Sequence, residues 1–269
     1  MRRFPNTPAS FLGGASLVAT LLLGGCGGSD GPATPTPTPT PVVSLSGLVL
    51  LMHFDEPVWS GTAQQVVDSS GLGHHGTVLG GATSVPSGRF GRAGAFDTAS
   101  AVRIDDAPDL RPTTQLTVSA WVNPTSLGLG TWLGIVAKRV DFQMKAAYTL
   151  YISADDRLSA DVDTEDNRLS APSTLTTNNR WYHLAMTFDG TLAPAERVNL
   201  YVDGQRVATA FEGASSIQPF DSPLWIGCLP LTAPAQGFNG LIDEVAIWHR
   251  ALSAQEISRL SSATTPLSR

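Results

Sequence analysis

Apolar and polar residues alternate along much of the chain with a period of two. The stretches 116–123, 181–189 and 198–202 show this most regularly. Period two sends successive side chains to opposite faces of a strand, so one face of each stretch is predicted to be buried. The predicted inward residues are Leu116, Val118, Ala120, Val122, Tyr182, Leu184, Met186, Phe188, Val198, Leu200 and Val202.

The same pattern, with turn residues between the apolar runs, predicts about a dozen short strands along the chain. Asp203-Gly204 separates two of them and is a strong signal for a two-residue hairpin. Long helical periodicity is absent, and no repeat of solenoid or propeller length occurs. The pattern therefore predicts an all-β sandwich or barrel.

The stretch 239–257, NGLIDEVAIWHRALSAQEI, begins as a strand and ends with a helix-start signal. Simple alternation puts Leu241, Val245 and Ile247 on one face with Asp243, and the intervening residues on the other. Both faces are mostly apolar, which is typical of a strand covered on both sides. Ser253 and Glu256 have the spacing of a capping box. The apolar run 47–55 has a similar character, so we expect the two terminal strands to meet.

The N-terminus has the features of an export signal. Arg2 and Arg3 precede an apolar run at 11–23, and small residues lead directly to Cys26. This arrangement resembles the bacterial lipobox, which implies cleavage before Cys26 and lipidation of its thiol. The alternative is an ordinary secretory signal with an incidental cysteine. Gly27 provides no inner-membrane retention signal, so the resemblance implies a lipoprotein of the bacterial cell envelope, anchored in the outer membrane if the cell is Gram-negative.

These features divide the chain into four parts. Residues 1–25 are the predicted lipoprotein signal peptide, and residues 26–44 form a Thr/Pro-rich linker that is extended by its prolines. Residues 45–264 are predicted to form one domain, and residues 265–269 a short tail. The lipid would be the only contact with the membrane, because no later stretch is long and apolar enough to cross it.

The net charge and the number of cysteines limit the classes of partner and the covalent cross-links that the domain can have. Loss of residues 1–25 removes two of the 17 Lys and Arg residues and none of the 23 Asp and Glu residues, which leaves a net charge of −8. An acidic surface of this kind argues against nucleic acid as a partner. With Cys26 lipidated, only Cys228 remains, so the domain has no internal disulfide. Cys228 is predicted to be a packing residue.

Several motifs occur in order across residues 48–260. They are DSSGLGHHGTV, GRFGRAGAFD, W-x-H-L-A at 181–185, TFDG at 187–190, LYVDG at 200–204 and GLIDEVAIWHRALSAQEI. Together they resemble the laminin-G-like jelly-roll domain of the concanavalin A-like lectin/glucanase superfamily. The resemblance implies an antiparallel two-sheet sandwich with a groove on one sheet and a short C-terminal helix. Members of this superfamily range from carbohydrate binders to hydrolases, so the fold alone leaves the function open.

The residues predict no catalytic site. A retaining glycosidase needs two carboxyl groups on one face about 5–5.5 Å apart, whereas Asp243 and Glu244 are adjacent and should point apart. Asp161, Asp163 and Glu165 could share a face, but acids at a strand end are usually solvated. The serines and histidines of 68–76 lack a nucleophile-elbow motif.

A structural Ca²⁺ is the predicted cofactor. By the family resemblance, the candidate metal ligands are Asp55, Asp68, Asp243 and the carbonyl of His75. The glycine-rich loop 68–76 suits calcium, which takes several oxygen ligands from flexible loops. The alternative is that these aspartates only accept backbone hydrogen bonds at strand ends.

Ligand-binding residues stay open at this point. A sugar site needs aromatic platforms, and the candidates are Trp59, Trp132, Phe142, Tyr148 and Tyr151, although aromatic residues of a sandwich often fill its core. We predict an envelope-anchored lipoprotein with a non-catalytic module that binds carbohydrate or protein. The alternatives are a glycan-active hydrolase or lyase, and a purely structural envelope protein.

Overall fold

The computed structural model describes residues 43–139, 146–162, 168–229 and 236–268. All of them belong to one contact-defined unit, Val42–Arg269. They contain fifteen β-strands and one α-helix, arranged as two antiparallel sheets. The predicted fold class, an all-β two-sheet jelly-roll sandwich with a short C-terminal helix, is confirmed.

Some predictions concern residues outside this range. The signal peptide 1–25, the lipidation site Cys26 and the linker as far as residue 42 lie outside the described residues. Phe142, Asp163 and Glu165 do as well. The domain boundaries at 45 and 264 stay predictions.

Eight strands form the first sheet. They are β1 (Leu48–Met52), β3 (Thr83–Val85), β4 (Ala93–Phe96), β6 (Gln115–Pro124), β11 (Tyr182–Asp189), β12 (Val198–Val202), β13 (Gln205–Ala210) and β15 (Gly240–Trp248). Their order is β13-β12-β11-β6-β15-β4-β3, and β1 also pairs with β15. The two terminal strands therefore meet, as the sequence predicts.

Seven strands form the second sheet. They are β2 (Gly76–Leu79), β5 (Ala101–Ile104), β7 (Leu133–Arg139), β8 (Ala146–Ile152), β9 (Arg157–Val162), β10 (Leu169–Thr174) and β14 (Leu224–Ile226). Their order is β10-β9-β8-β7-β14-β5-β2. Crossovers between the sheets bring β14 between β5 and β7, far from its neighbours in the chain.

The main core lies between the two sheets. Every inward residue predicted for β6, β11 and β12 packs into it, with Val202 partly buried at its margin. The β6–β11 register, which places Leu116 opposite Phe188, aligns their apolar faces along the full length of both strands. The predicted hairpin at Asp203-Gly204 joins β12 to β13, and both residues have positive φ (49° and 79°), as a type I′ turn requires.

The helix α1 (Ala254–Ser262) covers the outer side of the eight-stranded sheet. Its buried residue, Ile257, packs in a second core with Trp248, Leu252 and Tyr201. The predicted capping box is confirmed, because Ser253 accepts from the backbone of Glu256 while the Glu256 side chain accepts from the backbone of Ser253. Within the described residues, no helix has the length and apolar character needed to cross a lipid bilayer.

Simple alternation along β15 is wrong. Ile242 packs in the main core together with Val245 and Ile247, although they are three and five positions apart. The cause is a bulge at Glu244, which has φ +49° and lies where the β15–β6 register shifts. A bulge places two residues opposite one, and so the faces exchange beyond it.

Candidate functional site

Asp68, a predicted calcium ligand, is a buried hub of hydrogen bonds. Its carboxylate accepts from the backbone amides of Leu51 (3.0 Å), Ser70 (2.9 Å) and His74 (2.9 Å), and from the Ser70 hydroxyl at 2.7 Å. Burial raises the pKa of Asp68, but these hydrogen bonds outweigh it and hold the pKa below the usual value. The Asp68 amide in turn donates to His75 Nδ1 at 3.0 Å. The carboxylate therefore ties the loop to β1 through donors of this chain.

Asp55 and Asp243 lie around a different loop, 88–92. The amide of Phe90 donates to Asp243 Oδ2 at 3.0 Å, and that of Arg92 donates to Asp55 Oδ1 at 2.7 Å. Asp243 also accepts from the Glu244 amide at 2.8 Å. Burial, with a contribution from the Glu244 charge, raises the pKa of Asp243 to about 8. Both aspartates thus act as anchors for this loop.

The predicted ligand set is therefore divided between two places, and the residues do not fit a single calcium site. Asp68 and His75 belong to the 68–76 loop, whereas Asp55, after β1, and Asp243, within β15, bind the 88–92 loop. Among the described residues, no three His, Cys, Asp or Glu side chains are grouped to hold a metal ion. In both places N–H donors already point at the carboxylates. Calcium binding stays a prediction.

Glu244 makes the direct side-chain tie between the terminal strands. Its carboxylate lies 2.7 Å from Nδ1 of His53, the residue that follows β1. The bulge turns the Glu244 side chain toward β1. In a regular strand, Glu244 and its neighbour Asp243 would instead point to opposite faces of the sheet. The side chain of Asp243, in contrast, binds the 88–92 loop.

The outer side of the seven-stranded sheet carries a group of rings and charges that we call the aromatic face, defined by Trp132, Tyr151, Asp161, Arg168 and Trp225. This face results from the alternation of side chains along the strands. Leu150 and Ile152 of β8 enter the main core, so Tyr151 points away from it. The register across the sheet then places in one row, from β9 to β5, Asp161, Thr149, Ala137, Trp225 and Arg103.

Aromatic rings cover one end of this face. The rings of Trp132 and Tyr151 are 5.5 Å apart, tilted by 34°. The Arg168 guanidinium lies 4.6 Å from the centre of the Trp132 ring. Trp132 and Trp225 are half-buried, whereas Tyr151 is buried beneath them. The two tryptophans therefore expose part of their ring surface to solvent and pack against buried side chains.

A buried polar network supports these rings. The Tyr151 hydroxyl donates to Asp161 at 3.0 Å. Arg139 Nη1 lies 3.8 Å and Arg168 Nε 3.6 Å from the carboxylate of Asp161, which is only 1% exposed. Burial, and next the Asp161 charge, raise the pKa of Tyr151. Tyr151 therefore keeps its proton and remains a donor over the physiological pH range.

Thr149 adds an unsatisfied group to the same row. Its side chain is fully buried, and Oγ1 has no hydrogen-bond partner. Buried hydroxyls without a partner are unusual. Asp161 is the one carboxylate among the described strand residues of this sheet. These residues thus offer hydrogen-bonding groups without the paired acids of a retaining glycosidase.

The aromatic candidates separate into two groups. Trp59 packs between Phe54 and Phe96 in the core, with ring centres 5.6 and 6.4 Å away. Tyr148 is fully buried and donates its hydroxyl to the Leu110 carbonyl. Only Trp132 and Tyr151 of the described candidates lie on the aromatic face.

Trp225 was not among the predicted ligand-binding residues. Its signal in the sequence is the run Leu224-Trp225-Ile226, in which a tryptophan between two core residues must face outward. Cys228 lies just beyond this strand. Burial raises the pKa of its thiol to about 12, so it stays protonated at neutral pH, in agreement with a packing role.

A laminin-G family model of the concanavalin A-like lectin/glucanases superfamily matches residues 96–258, which is more than half of the chain. The chain therefore belongs to this family. No curated protein shows significant similarity to it.

Solved structures agree on the fold. Domain 4 of AbnA, a GH43 extracellular arabinanase from Geobacillus stearothermophilus, in complex with arabinotriose, is similar with a TM-score of 0.61 and 21% identity, over 80% of this chain and 98% of that one. The binding domain of Paraclostridial Mosquitocidal Protein 1 gives 0.59 and 16%, over 81% and 52%. Trypanosoma rangeli sialidase in complex with sialic acid gives 0.56 and 17%, over 81% and 33%. The chain thus spans about half of the second protein and a third of the third.

Proposed function

We propose that this chain is a non-catalytic carbohydrate-binding protein and that the aromatic face is its binding surface. The observation that carries the proposal is the pair of half-buried tryptophans, Trp132 and Trp225, on the same face as the Tyr151–Asp161 network. A sugar has an apolar ring face and a hydroxyl rim. Aromatic platforms with a few fixed polar groups are the arrangement that binds both parts.

The similar structures support a glycan as the ligand. Domain 4 of the arabinanase was solved with arabinotriose, and the sialidase with sialic acid. The mosquitocidal fragment is described as a binding domain. A protein ligand is the second possibility within the same proposal, because half-buried tryptophans also serve protein interfaces.

On the described strands of the seven-stranded sheet, Asp161 has no second acid beside it, and this favours binding over hydrolysis at the aromatic face. Asp161 is buried, and Arg139, Arg168 and Tyr151 surround it. A carboxylate held in this way is poorly placed to act as a nucleophile, and the described strands of this sheet supply no second acid for it. The alternative is a hydrolase or lyase, which would release product from a bound glycan.

The proposal includes an envelope location. Lipidation of Cys26 would hold the protein on a bacterial membrane, most simply the outer membrane, without a spanning helix. The Thr/Pro-rich linker 26–44 would extend at roughly 3.1 Å per residue and separate the domain from the lipid by tens of ångströms. The domain would then reach glycans of the envelope or of the surroundings.

A glycan-array screen of the full chain, with the variant Trp225→Ala, tests this function. We expect a defined set of glycans to bind, and Trp225→Ala to weaken binding about tenfold or more, since tenfold corresponds to about 1.4 kcal/mol of lost contact. The matched control is Phe211→Ala, which removes an exposed aromatic ring after β13 of the other sheet. It should bind like the wild type.

Three outcomes contradict the proposal. Binding to no glycan would favour a protein ligand or the purely structural role. Undiminished binding by Trp225→Ala would place the binding surface elsewhere. Release of reducing sugar or unsaturated product from a bound glycan would make the protein an enzyme.

A further inference from the structure

A second concave feature lies on the other sheet, at the end where β15 begins. It is an open pocket of about 340 Å³. Its lining residues are Ala95, Phe96, Asn123, Thr125, Asn179, Asn239, Gly240 and Leu241. This volume falls within the range of roughly 300–1,000 Å³ that is usual for small-molecule sites.

The strand register explains how the pocket is built. Leu241 of β15 pairs with Ala95 of β4 on one side and with Asn123 of β6 on the other. Their neighbours Ile242 and Val122 enter the main core, so this row faces the outer side of the eight-stranded sheet. The pocket is therefore on the opposite side of the sandwich from the aromatic face.

Backbone geometry fixes the walls. Gly240 has φ +139°, and a side chain there would meet the Asn123 carbonyl at 2.2 Å, so only glycine allows this approach. The amide and hydroxyl of Thr125 both donate to the Asn239 carbonyl, at 2.9 and 3.0 Å. Asn179 has φ +58°, and its backbone N–H donates to the Pro124 carbonyl at 2.8 Å. These bonds hold three asparagines around one space.

The lining is uncharged and combines side-chain amides with a larger share of apolar surface. Asn123, Asn179 and Asn239 each bring a side-chain amide with one acceptor and two donors, and the described residues that line the pocket include no Asp, Glu, Lys, Arg or His. Asn123 Oδ1 is buried and has no hydrogen-bond partner. Such an acceptor is satisfied when a ligand donates to it. Ala95 and Leu241 add an apolar patch.

We infer that this pocket is a second binding site, for a neutral sugar unit or a similar uncharged polyol. Hydroxyl groups both donate and accept, which matches side-chain amides, and a C–H face matches the apolar patch. Charged ligands find no counter-charge in the lining. The inference stands on the pocket alone and does not depend on the aromatic face.

Side-chain amide signals in ¹H–¹⁵N NMR of the full chain give the test. The probes are methyl glycosides of arabinose, galactose and glucose, with glucuronate as the charged comparison. We expect at least one neutral glycoside to shift the amide signals of Asn123 and Asn239 saturably. Asn123→Ala should then raise the Kd about tenfold, the effect of roughly one lost hydrogen bond.

A matched variant separates this site from other causes. Asn199→Ala removes an amide from β12 of the same sheet and should keep the wild-type Kd. A saturable shift that survives Asn123→Ala, equal binding of glucuronate, or no saturable shift with any neutral glycoside overturns the inference. Loss of array binding in Trp225→Ala bears only on the aromatic face.

Discussion

His183 is buried on the outer side of the eight-stranded sheet in surroundings that oppose its protonation. Its ring meets Trp121 edge-on at 5.3 Å, and Nδ1 has no hydrogen-bond partner. Burial, and then the charge of Arg89, lower the pKa of His183 to about 3. The folded protein keeps this ring neutral over the physiological pH range.

This shift predicts a loss of stability in mild acid. Below the unfolded pKa of 6.5 the unfolded chain binds a proton at His183, whereas the folded chain does not until about pH 3. Stability contributed by the neutral ring is thus lost progressively as pH falls from 6.5, by about 2 kcal/mol at pH 5. Urea unfolding of wild type and His183→Phe at pH 7.5 and 5 measures it.

The Phe variant should lose about 2 kcal/mol less than wild type between these two pH values. Its stability at pH 7.5 should stay close to wild type, because Phe has a similar size and removes a buried nitrogen that has no partner. An equal acid loss in both proteins would mean that other groups cause it.

At the scale of elements, helix α1 depends on its first turn. Ser253 and Glu256 cap each other, and Glu256 also accepts from Arg250, which donates to the carbonyls of Ser44 and Ser46 before β1. The hydrogen bond from Arg250 and those of the cap lower the pKa of Glu256 to about 2. The cap therefore connects the helix to the start of the domain.

Removal of the cap should destabilise the protein moderately. We expect Ser253→Ala to cost about 1 kcal/mol in free energy of unfolding, as is typical for a lost N-cap. Ser262→Ala, at the exposed end of the same helix, is the control and should change stability little. Thermal unfolding of both variants measures the difference. Similar losses in the two would show that the capping interaction adds nothing specific.

Strand β15 shows where prediction of an element fails. Its position, its partner β1 and its two covered faces follow from its composition, because apolar residues on both sides require cover on both sides. The bulge does not follow. Glu244 takes a positive φ where β15 continues from the edge of β4 to the edge of β1, and only the paired strands reveal that junction.

At the scale of the whole molecule, the aspartates that hold the two loops predict that the fold is equally stable with and without calcium. Asp55, Asp68 and Asp243 already accept backbone N–H groups. We therefore expect the same Tm in buffer, in EDTA and in excess Ca²⁺. A ligand that binds only the folded state must raise the Tm. A fall of the Tm in EDTA that Ca²⁺ reverses would restore the metal proposal.

The proposed anchor makes a prediction about the intact protein in cells. Wild-type chain expressed in a Gram-negative host should incorporate labelled palmitate and sediment with membranes. Cys26→Ser should lose both properties, because the thiol is the predicted attachment point. Cys228→Ser is the matched control and should remain labelled. Labelling that follows Cys228 instead would contradict the assignment.

The class of fold and much of the core could be predicted from the sequence alone. Period-two alternation depends only on the local geometry of each strand, so the inward faces of β6, β11 and β12 could be read from it. The capping box and the Asp203-Gly204 hairpin are equally local, since each involves residues within four positions. The family motifs then identified the sandwich.

The two candidate sites, in contrast, could be found only in the folded structure. The aromatic face combines residues of β8, β9 and β14 with Trp132 and Arg168, which directly precede β7 and β10. The pocket with the three asparagines combines β4, β6 and β15 with the turns beside them. Long-range pairing registers create both, and a single sequence does not encode register in any local pattern. For the same reason Trp59 and Tyr148 became core residues, while Trp225 became part of the aromatic face.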